Sequence, residues 1–380
     1  MNQDFPFLNH RVRHRDLKVP FVGPETLERQ TGERFAARLG ANESGFGPSP
    51  MALAAIREAA SHCWKYADPT SHDLKRALAH HLGIGHESLV VGEGIDGLLG
   101  DTCKLTLEPG AGLVMSDGAY PTMAFHGENQ AAAIHKISMR DDREDLAGLL
   151  DAAKRHGAKV IYLSNPNNPS GRHWPANKLE AFMDDLPEFA LLLLDEAYAD
   201  TAPADAIPKI AVKRRNVLRY RTFSKAYGLA GLRIGYAIGH PELVAEFEKV
   251  RNHYGVNLLA QVGAEAALRD QAYLTKTVAA HAAARRRITG IANASGFQTL
   301  PSATNFVAID CREPSTAEQI YESLMADGVF VRRPTVPTLN RLVRVSTGPD
   351  DVMNIFEAAW KRATQRFVSP NVTTGAEVTA

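Results

Sequence analysis

Three cysteines in 380 residues, Cys63, Cys103 and Cys311, are odd in number and far apart, which argues against a disulfide framework or a zinc site. They point instead to buried thiols and a reducing cytoplasm. The fourteen histidines show no metal-binding spacing; His80, His81 and His86 gather around one helix end and read as solvated, so no bound metal is expected. Neither sign of charge dominates. With 43 basic against 43 acidic residues, the chain lacks the footprint of a nucleic-acid or membrane-surface binder. No apolar run approaches the roughly 20 residues that span a bilayer, and Met1-Asn-Gln-Asp-Phe-Pro-Phe has no basic-then-apolar secretory pattern. Repeats and low-complexity segments are also missing. What remains is an ordinary globular composition, 44% hydrophobic and 23% charged, in a chain too long for a typical single core.

Strands and helices alternate from about residue 50 to 245. The candidate strands are 88–91, 112–116, 132–137, 160–164, 190–194, 217–222 and 235–238, several of them near-continuous apolar runs. Such runs predict a mostly parallel sheet of seven strands covered on both faces. Helices are expected over 51–62, 71–82, 146–155 and 178–185, and a long helix over 241–255 should lead out of this domain. Beyond it, the Ala- and Arg-rich stretch 271–293, strands 305–310, 329–332 and 342–346, and a helix near 317–327 predict a smaller α+β unit. The expected division is an N-terminal arm (1–49), a large domain (50–245), a small domain (246–366) and a flexible tail (367–380) without periodicity.

Chemistry concentrates in three places. In Thr222-Phe-Ser224-Lys225-Ala-Tyr-Gly-Leu-Ala-Gly-Leu-Arg233, a serine precedes the lysine and an arginine follows eight residues later. This suits an amine that holds an aldehyde cofactor bearing a phosphate, with hydroxyls and a guanidinium around the phosphate. A lysine beside a serine is also common on plain surfaces. Upstream, the apolar run Ala190-Leu-Leu-Leu-Leu ends in Asp195-Glu196-Ala197-Tyr198. Asp195 thus falls at the carboxyl edge of a buried strand, where open α/β sheets place ligands. It could pair with a protonated pyridine nitrogen, and Tyr198 could donate to the ring's phenolic oxygen; the bland alternative is a strand-end Asp capping the next turn. Further upstream, Ser164-Asn165-Pro166-Asn167-Asn168-Pro169-Ser170-Gly171 fixes an irregular turn that could present the Asn168 amide to the same oxygen.

One segment favours a rival. Leu89-Val-Val-Gly92-Glu-Gly94-Ile95-Asp96-Gly97 is a literal Gly-x-Gly-x-x-Gly between a strand and an apolar helix, with Asp117 at the distance of a dinucleotide fingerprint. Alone it would nominate a nicotinamide-dependent dehydrogenase. The free N–H groups of a helix start around Gly94, Ile95 and Asp96 would serve a cofactor phosphate equally well.

Taken together, the asparagine loop, Asp-Glu-Ala-Tyr and Ser-Lys-Ala-x-Gly-Leu-Ala-Gly-Leu-Arg resemble the fold-type I aminotransferases, more narrowly the histidinol-phosphate aminotransferase subfamily, from about Leu39 to Thr364. The resemblance implies pyridoxal 5'-phosphate as cofactor, Lys225 as the residue bonded to its aldehyde, and Thr222, Ser224, Arg233 and the helix start at Gly94–Asp96 around its phosphate. It implies that Tyr120 stacks on the pyridine face and that Tyr66 reaches the cofactor phosphate of a partner subunit, hence a homodimer. Asn42, in Asn42-Glu43-Ser-Gly-Phe-Gly, matches the segment that enters the active-site rim. Arg344 and Arg332 match substrate anion contacts. Without the resemblance, each tyrosine would read as a core residue.

The resemblance thins at substrate choice. Histidinol-phosphate enzymes commonly carry a Pro-Tyr pair near their start; here Pro20-Phe21 lacks the hydroxyl, and the helix start reads Ile95-Asp96-Gly97 instead of a Ser/Ala-Asp-Glu pattern. A missing donor can alter discrimination by orders of magnitude, so aromatic donors stay open, while adjacent Arg332 and Arg333 favour a doubly charged anion. A decarboxylase of the same fold, resembling threonine-phosphate decarboxylases, is the alternative enzyme. A non-catalytic cofactor-binding protein is the third reading, with an intact Lys225 against it.

Overall fold

The computed structural model describes residues 7–8 and 22–367; Phe21, Pro20 and the tail 368–380 lie outside the described residues. Among the described residues twelve strands run in chain order: β1 (Ala37–Arg38), β2 (Leu89–Gly92), β3 (Gly112–Ser116), β4 (Ala133–Ile137), β5 (Val160–Ser164), β6 (Leu191–Asp195), β7 (Val217–Thr222), β8 (Gly235–Ile238), β9 (Gln298–Thr299), β10 (Phe306–Asp310), β11 (Val329–Phe330) and β12 (Leu342–Ser346). Seven of them form one sheet in the order β2-β8-β7-β6-β5-β3-β4. β4, β3, β5, β6 and β7 run parallel, and β8 runs antiparallel to both of its neighbours, so the expected mostly parallel seven-stranded sheet is present.

Burial on both faces explains the apolar runs. Along β5 and β6, Val160, Tyr162, Leu191 and Leu193 pack with Leu98 and Leu99 of the helix Gly94–Thr106. The alternating set Ile161, Leu163, Leu192 and Leu194 packs with Leu149, Leu179 and Phe182 of the helices Leu146–His156 and Ala176–Asp184 on the other face. Each buried leucine contributes about 1.5–3 kcal/mol relative to an exposed one. The register places Ser164 beside Asp195 and Asp195 beside Tyr220, so the carboxyl ends of β5, β6 and β7 meet at one edge.

A second sheet, β12-β10-β9, is antiparallel, and β1 pairs in parallel with β11. The helices Gln271–Ala294, Pro314–Ala326 and Asp350–Thr364 cover it, around a core that includes Trp360, Phe356 and Phe297.

Four sequence expectations change. The long helix over 241–255 is instead a short helix, Pro241–Ala245, and a 3-10 turn, Glu246–Lys249. The chain then bends because Asn252 donates to Glu93 Oε1 at 3.0 Å and Gly255 lies where a Cβ would strike that carboxylate. Four α-helices, Leu258–Arg269, Asp350–Thr364, Pro24–Thr31 and Pro121–Asn129, had not been anticipated. The first buries Ala260, Gly263, Ala264 and Ala267, a stripe of small residues that carries little hydrophobic signal. Cys63 is exposed; only Cys103 and Cys311 are buried. Phe367, assigned to the tail, packs on Phe297 with ring centroids 6.3 Å apart. Among the described residues no helix is long and apolar enough to cross a membrane.

The loop after Lys225 is locked to the N-terminal segment by Gly228, whose φ is +71° and whose Cβ, if present, would lie 2.5 Å from the Gly47 carbonyl oxygen. Gly228→Ala should therefore lose more than the ~1 kcal/mol left-handed penalty alone. A urea titration checks this; an unchanged midpoint would contradict the close approach.

Candidate active site

A cleft of about 750 Å³ opens at the carboxyl edge where β5, β6 and β7 end. It is bounded on the other side by the segment after β1 and by residues following β11 and within β12. Lys225 enters it from the turn after β7, and its Nζ donates to the Asn42 carbonyl at 3.2 Å. The amine lies 5.8 Å from the centroid of the Tyr198 ring. Burial, and then the Arg344 guanidinium, bring its pKa down to about 8 against a weaker pull from Asp96 and Glu43. A neutral amine is thus accessible near neutral pH.

Asp195 ends β6 and is 5% exposed. Its Oδ2 accepts from the Tyr162 hydroxyl at 2.6 Å and its Oδ1 from the Ala197 N–H at 2.9 Å. Burial raises its carboxyl to about 6, even though these two donors favour the charged form. The neighbouring Glu196 turns away from the cleft into a buried ion cluster with Arg219 Nε and Arg221 Nε, each at 3.0 Å. That cluster ties the end of β6 to β7; removing one member of such a set costs about 3–5 kcal/mol. Tyr198 is buried, its hydroxyl accepting from Asn42 Nδ2 at 2.9 Å, and its acidity is pushed to about 12 by burial. Asn42 is held in turn by Ser346, whose Oγ accepts from its N–H at 3.0 Å and donates to its Oδ1 at 3.1 Å.

The cleft's other end suits a phosphate. The helix Gly94–Thr106 begins without a side-chain cap, so its first N–H groups are available to an anion. Gly94 has φ +74°, and a Cβ there would stand 2.7 Å from Arg233 Nη2. Only a glycine lets the guanidinium lie this close to the helix start. Ile95, Asp96, Thr222, Ser224 and Arg233 line the cleft; Gly94 shapes the cradle without lining it. Thr222 Oγ1 donates to Ser224 Oγ at 2.9 Å. Asp96 Oδ2 lies 3.7 Å from Arg233 Nη2 and accepts from the Tyr120 hydroxyl at 3.3 Å, so one carboxylate orients both a guanidinium and an aromatic ring. An amine, a buried carboxylate, an aromatic ring and an uncapped helix start beside a guanidinium meet at one cleft, and these residues fit pyridoxal phosphate.

Arg344 and Arg332 face each other across an antiparallel bridge. Arg344 donates to Asn168 Oδ1 at 2.6 Å and to the Gly40 carbonyl at 2.7 Å, while its Nε is buried without a protein partner. Burial brings its pKa down to about 10. Because Arg344 occupies Oδ1, the Asn168 amide has its Nδ2 group left to donate into the cleft. Arg332 donates to the Val22 carbonyl at 2.7 Å and lies over the Phe330 ring. Arg333 is engaged by Glu318 at 3.1 Å, which weakens the idea that the two arginines act as a pair.

Tyr66 stays apart from the cleft. It is 82% exposed and packs against Tyr254 in a tilted arrangement with centroids 4.8 Å apart, so it is not a core residue of this chain. Phe21 lies outside the described residues. Sequence reasoning missed Tyr162, Tyr254 and Glu144. Glu144 is buried and accepts from Ser164 and Asn167, fixing the loop that carries Asn168; burial pushes its carboxyl to about 8. A tyrosine inside an apolar strand two positions before its polar end was the available signal for Tyr162; Glu144 and Tyr254 had none.

The dehydrogenase reading fails on topology. A dinucleotide motif follows a central parallel strand, whereas β2 is an edge strand antiparallel to β8. Asp117 meets Lys136 at 3.9 Å and does not line the cleft.

Comparison with known proteins agrees with this geometry. The family described as aminotransferase class I and II matches residues 37–357. A histidinol-phosphate aminotransferase of Moorella thermoacetica is 33% identical over 334 residues, covering 87% of this chain and 86% of that one. One from Thiobacillus denitrificans is 37% identical over 327 residues, 85% and 84% of the two chains. The crystal structure of histidinol-phosphate aminotransferase from Sinorhizobium meliloti in complex with pyridoxal-5'-phosphate superposes with a TM-score of 0.94 at 49% identity, covering 97% of this chain and 100% of that one. A threonine-phosphate decarboxylase of Porphyromonas gingivalis shares the fold at 18% identity. The chain therefore belongs to the class I and II aminotransferases, enzymes that work with pyridoxal 5'-phosphate.

Proposed function

We propose that this aminotransferase takes its amino group from a phosphorylated amino alcohol, histidinol phosphate in the first instance, and passes it to a 2-oxo acid. The observation that carries the reading is the placement of a lysine amine and a buried carboxylate in one cleft beneath two guanidiniums, Arg332 and Arg344. The names and high similarity of the relatives support the donor.

Lys225 holds the cofactor aldehyde, and Asp195 accepts from the pyridine N–H and keeps that nitrogen protonated. Pyridoxal phosphate, when bound, supplies the electron sink for the charge left on substrate Cα. With the cofactor bound, Tyr120 would cover one ring face, and Tyr198 and the Nδ2 of Asn168 would donate to the phenolic oxygen. Ile95 and Asp96 of the helix start, with Thr222, Ser224 and Arg233, hold the phosphate, and Gly94 leaves room for the Arg233 guanidinium. A free, neutral Lys225 amine would accept the proton from substrate Cα and give it back as the general acid. Arg344 and Arg332 bind the substrate's anionic group, and Asn42 borders it.

The same reading includes a second copy of the chain. Trp64, Tyr66 and Tyr254 are 83%, 82% and 55% exposed, an aromatic group that a symmetric partner would cover. We also place the protein in the cytoplasm, in keeping with its free cysteines, and divide it at residues 49/50 and 245/246.

Lys225→Ala should lower turnover by about 10²–10⁴-fold while the protein still binds cofactor by equilibrium dialysis; turnover close to the parent's would remove Lys225 from its role. Asp195→Ala should lose roughly 10²–10³-fold in kcat, as for a preorganised electrostatic partner; a near-normal rate would show another partner for the nitrogen. Only a neutral lysine attacks an aldehyde, so the rate of cofactor attachment to the apoprotein should rise with pH, pass half its maximum near pH 8 and level off above that. A rate still climbing at pH 10 would contradict the lowered amine. Titrating the cofactor's visible band with histidinol phosphate, aromatic amino acids, glutamate and threonine phosphate identifies the donor. Bleaching by histidinol phosphate, reversed by a 2-oxo acid, is the expected result; carbon dioxide release from threonine phosphate would overturn it.

A further inference from the structure

Asp195 cannot be considered alone, because its carboxylate is half of a buried pair. Tyr162 and Asp195 sit on adjacent parallel strands, with Tyr162 level with Leu193 and Asp195 two residues further along. They are diagonal neighbours on one face of the sheet. Tyr162 is fully buried, lines the cleft beside Asp195, and donates to Oδ2 at 2.6 Å. A phenol donating to a carboxylate at this distance is a charge-assisted hydrogen bond, and inside a low-dielectric site it is a strong one.

We propose that Tyr162 is a positioning residue that lowers the basicity of Asp195, so that the proton shared between Asp195 and a ring nitrogen stays on the nitrogen. This rests on the reading that Asp195 is the nitrogen's partner. The two bases compete for one proton in a site where burial already favours a neutral carboxyl. Against that burial stand the Tyr162 hydroxyl, the Ala197 N–H and the more distant Lys225 amine, while Asp96 acts with burial. Tyr162 itself faces Asp195, Glu144 and Tyr120, and burial keeps its phenol protonated and able to donate. Of the side chains around Asp195, Tyr162 is the one that hydrogen-bonds its carboxylate directly. Losing such a bond shifts a proton-sharing ratio by about tenfold or more. The residue acts through Asp195 and needs no contact with substrate.

The test is the nitrogen-15 resonance of the ring in full-length protein loaded with labelled pyridoxal phosphate. Tyr162→Phe should move the signal towards that of an unprotonated ring. Tyr220→Phe removes a hydroxyl from the same sheet, one that is bonded to Thr102 and not to Asp195, and should leave the signal at the parent position. A protonated ring in both the parent and Tyr162→Phe overturns the role of Tyr162 while leaving that of Asp195 intact. An unprotonated ring in the parent overturns the Asp195 reading itself. Affinity distinguishes positioning from simple packing. Tyr162→Phe should weaken pyridoxal phosphate about tenfold and leave unaltered an analogue whose ring nitrogen is replaced by carbon. Equal weakening of both compounds would mean a structural role only and would sink the proposal.

Discussion

The buried hydrogen bond from Tyr162 to Asp195 and the buried amine of Lys225 set one shared constraint: two ionisable groups of opposite sign are stripped of water in a single cleft. Taken separately, each would tend towards neutrality. The sheet makes the arrangement sustainable, since β5, β6 and β7 end together and deliver Tyr162 and Asp195 from neighbouring strands and Lys225 from the turn that follows β7. The apolar runs beneath them are what hold those strand ends at fixed spacing.

Around that centre, charge is arranged in pairs and threes. Arg344 lowers the affinity of Lys225 for its proton and is itself held by Asn168 and Gly40. Asp96 places an acid beside Arg233 at the helix start, keeping the cation close to the cradle. Glu196, next to Asp195 in sequence, faces the opposite way and spends its charge on Arg219 and Arg221. Two adjacent carboxylates thus have different environments: one is neutralised by arginines, the other kept for the cleft. Asn42 closes the arrangement, joining the Lys225 amine, the Tyr198 hydroxyl and Ser346 from the second sheet.

Much of this was legible in the sequence because apolar runs and turn residues act locally. β3, β5, β7 and β8 fall on their expected residues, and Asp195 ends β6 as the strand-end argument required. Cleft residues tied to motifs, such as Arg233 and Asn168, were identified for the same reason. Long-range geometry was not legible. Glu144 reaches Ser164 and Asn167 across the sheet, and the bend at Asn252–Gly255 depends on Glu93, more than 150 residues earlier. The small-residue helix Leu258–Arg269 buries backbone-close contacts that no hydropathy pattern reports. The Gly-x-Gly-x-x-Gly of β2 shows the converse error: a local pattern was right about a helix start and wrong about the sheet around it.

The most direct test of the account is to locate the cofactor bond. Borohydride reduction of the loaded protein, followed by digestion and mass spectrometry, should leave the cofactor's mass on the peptide that contains Lys225. Recovery of that mass on any other lysine, or on none, would contradict the account at its centre.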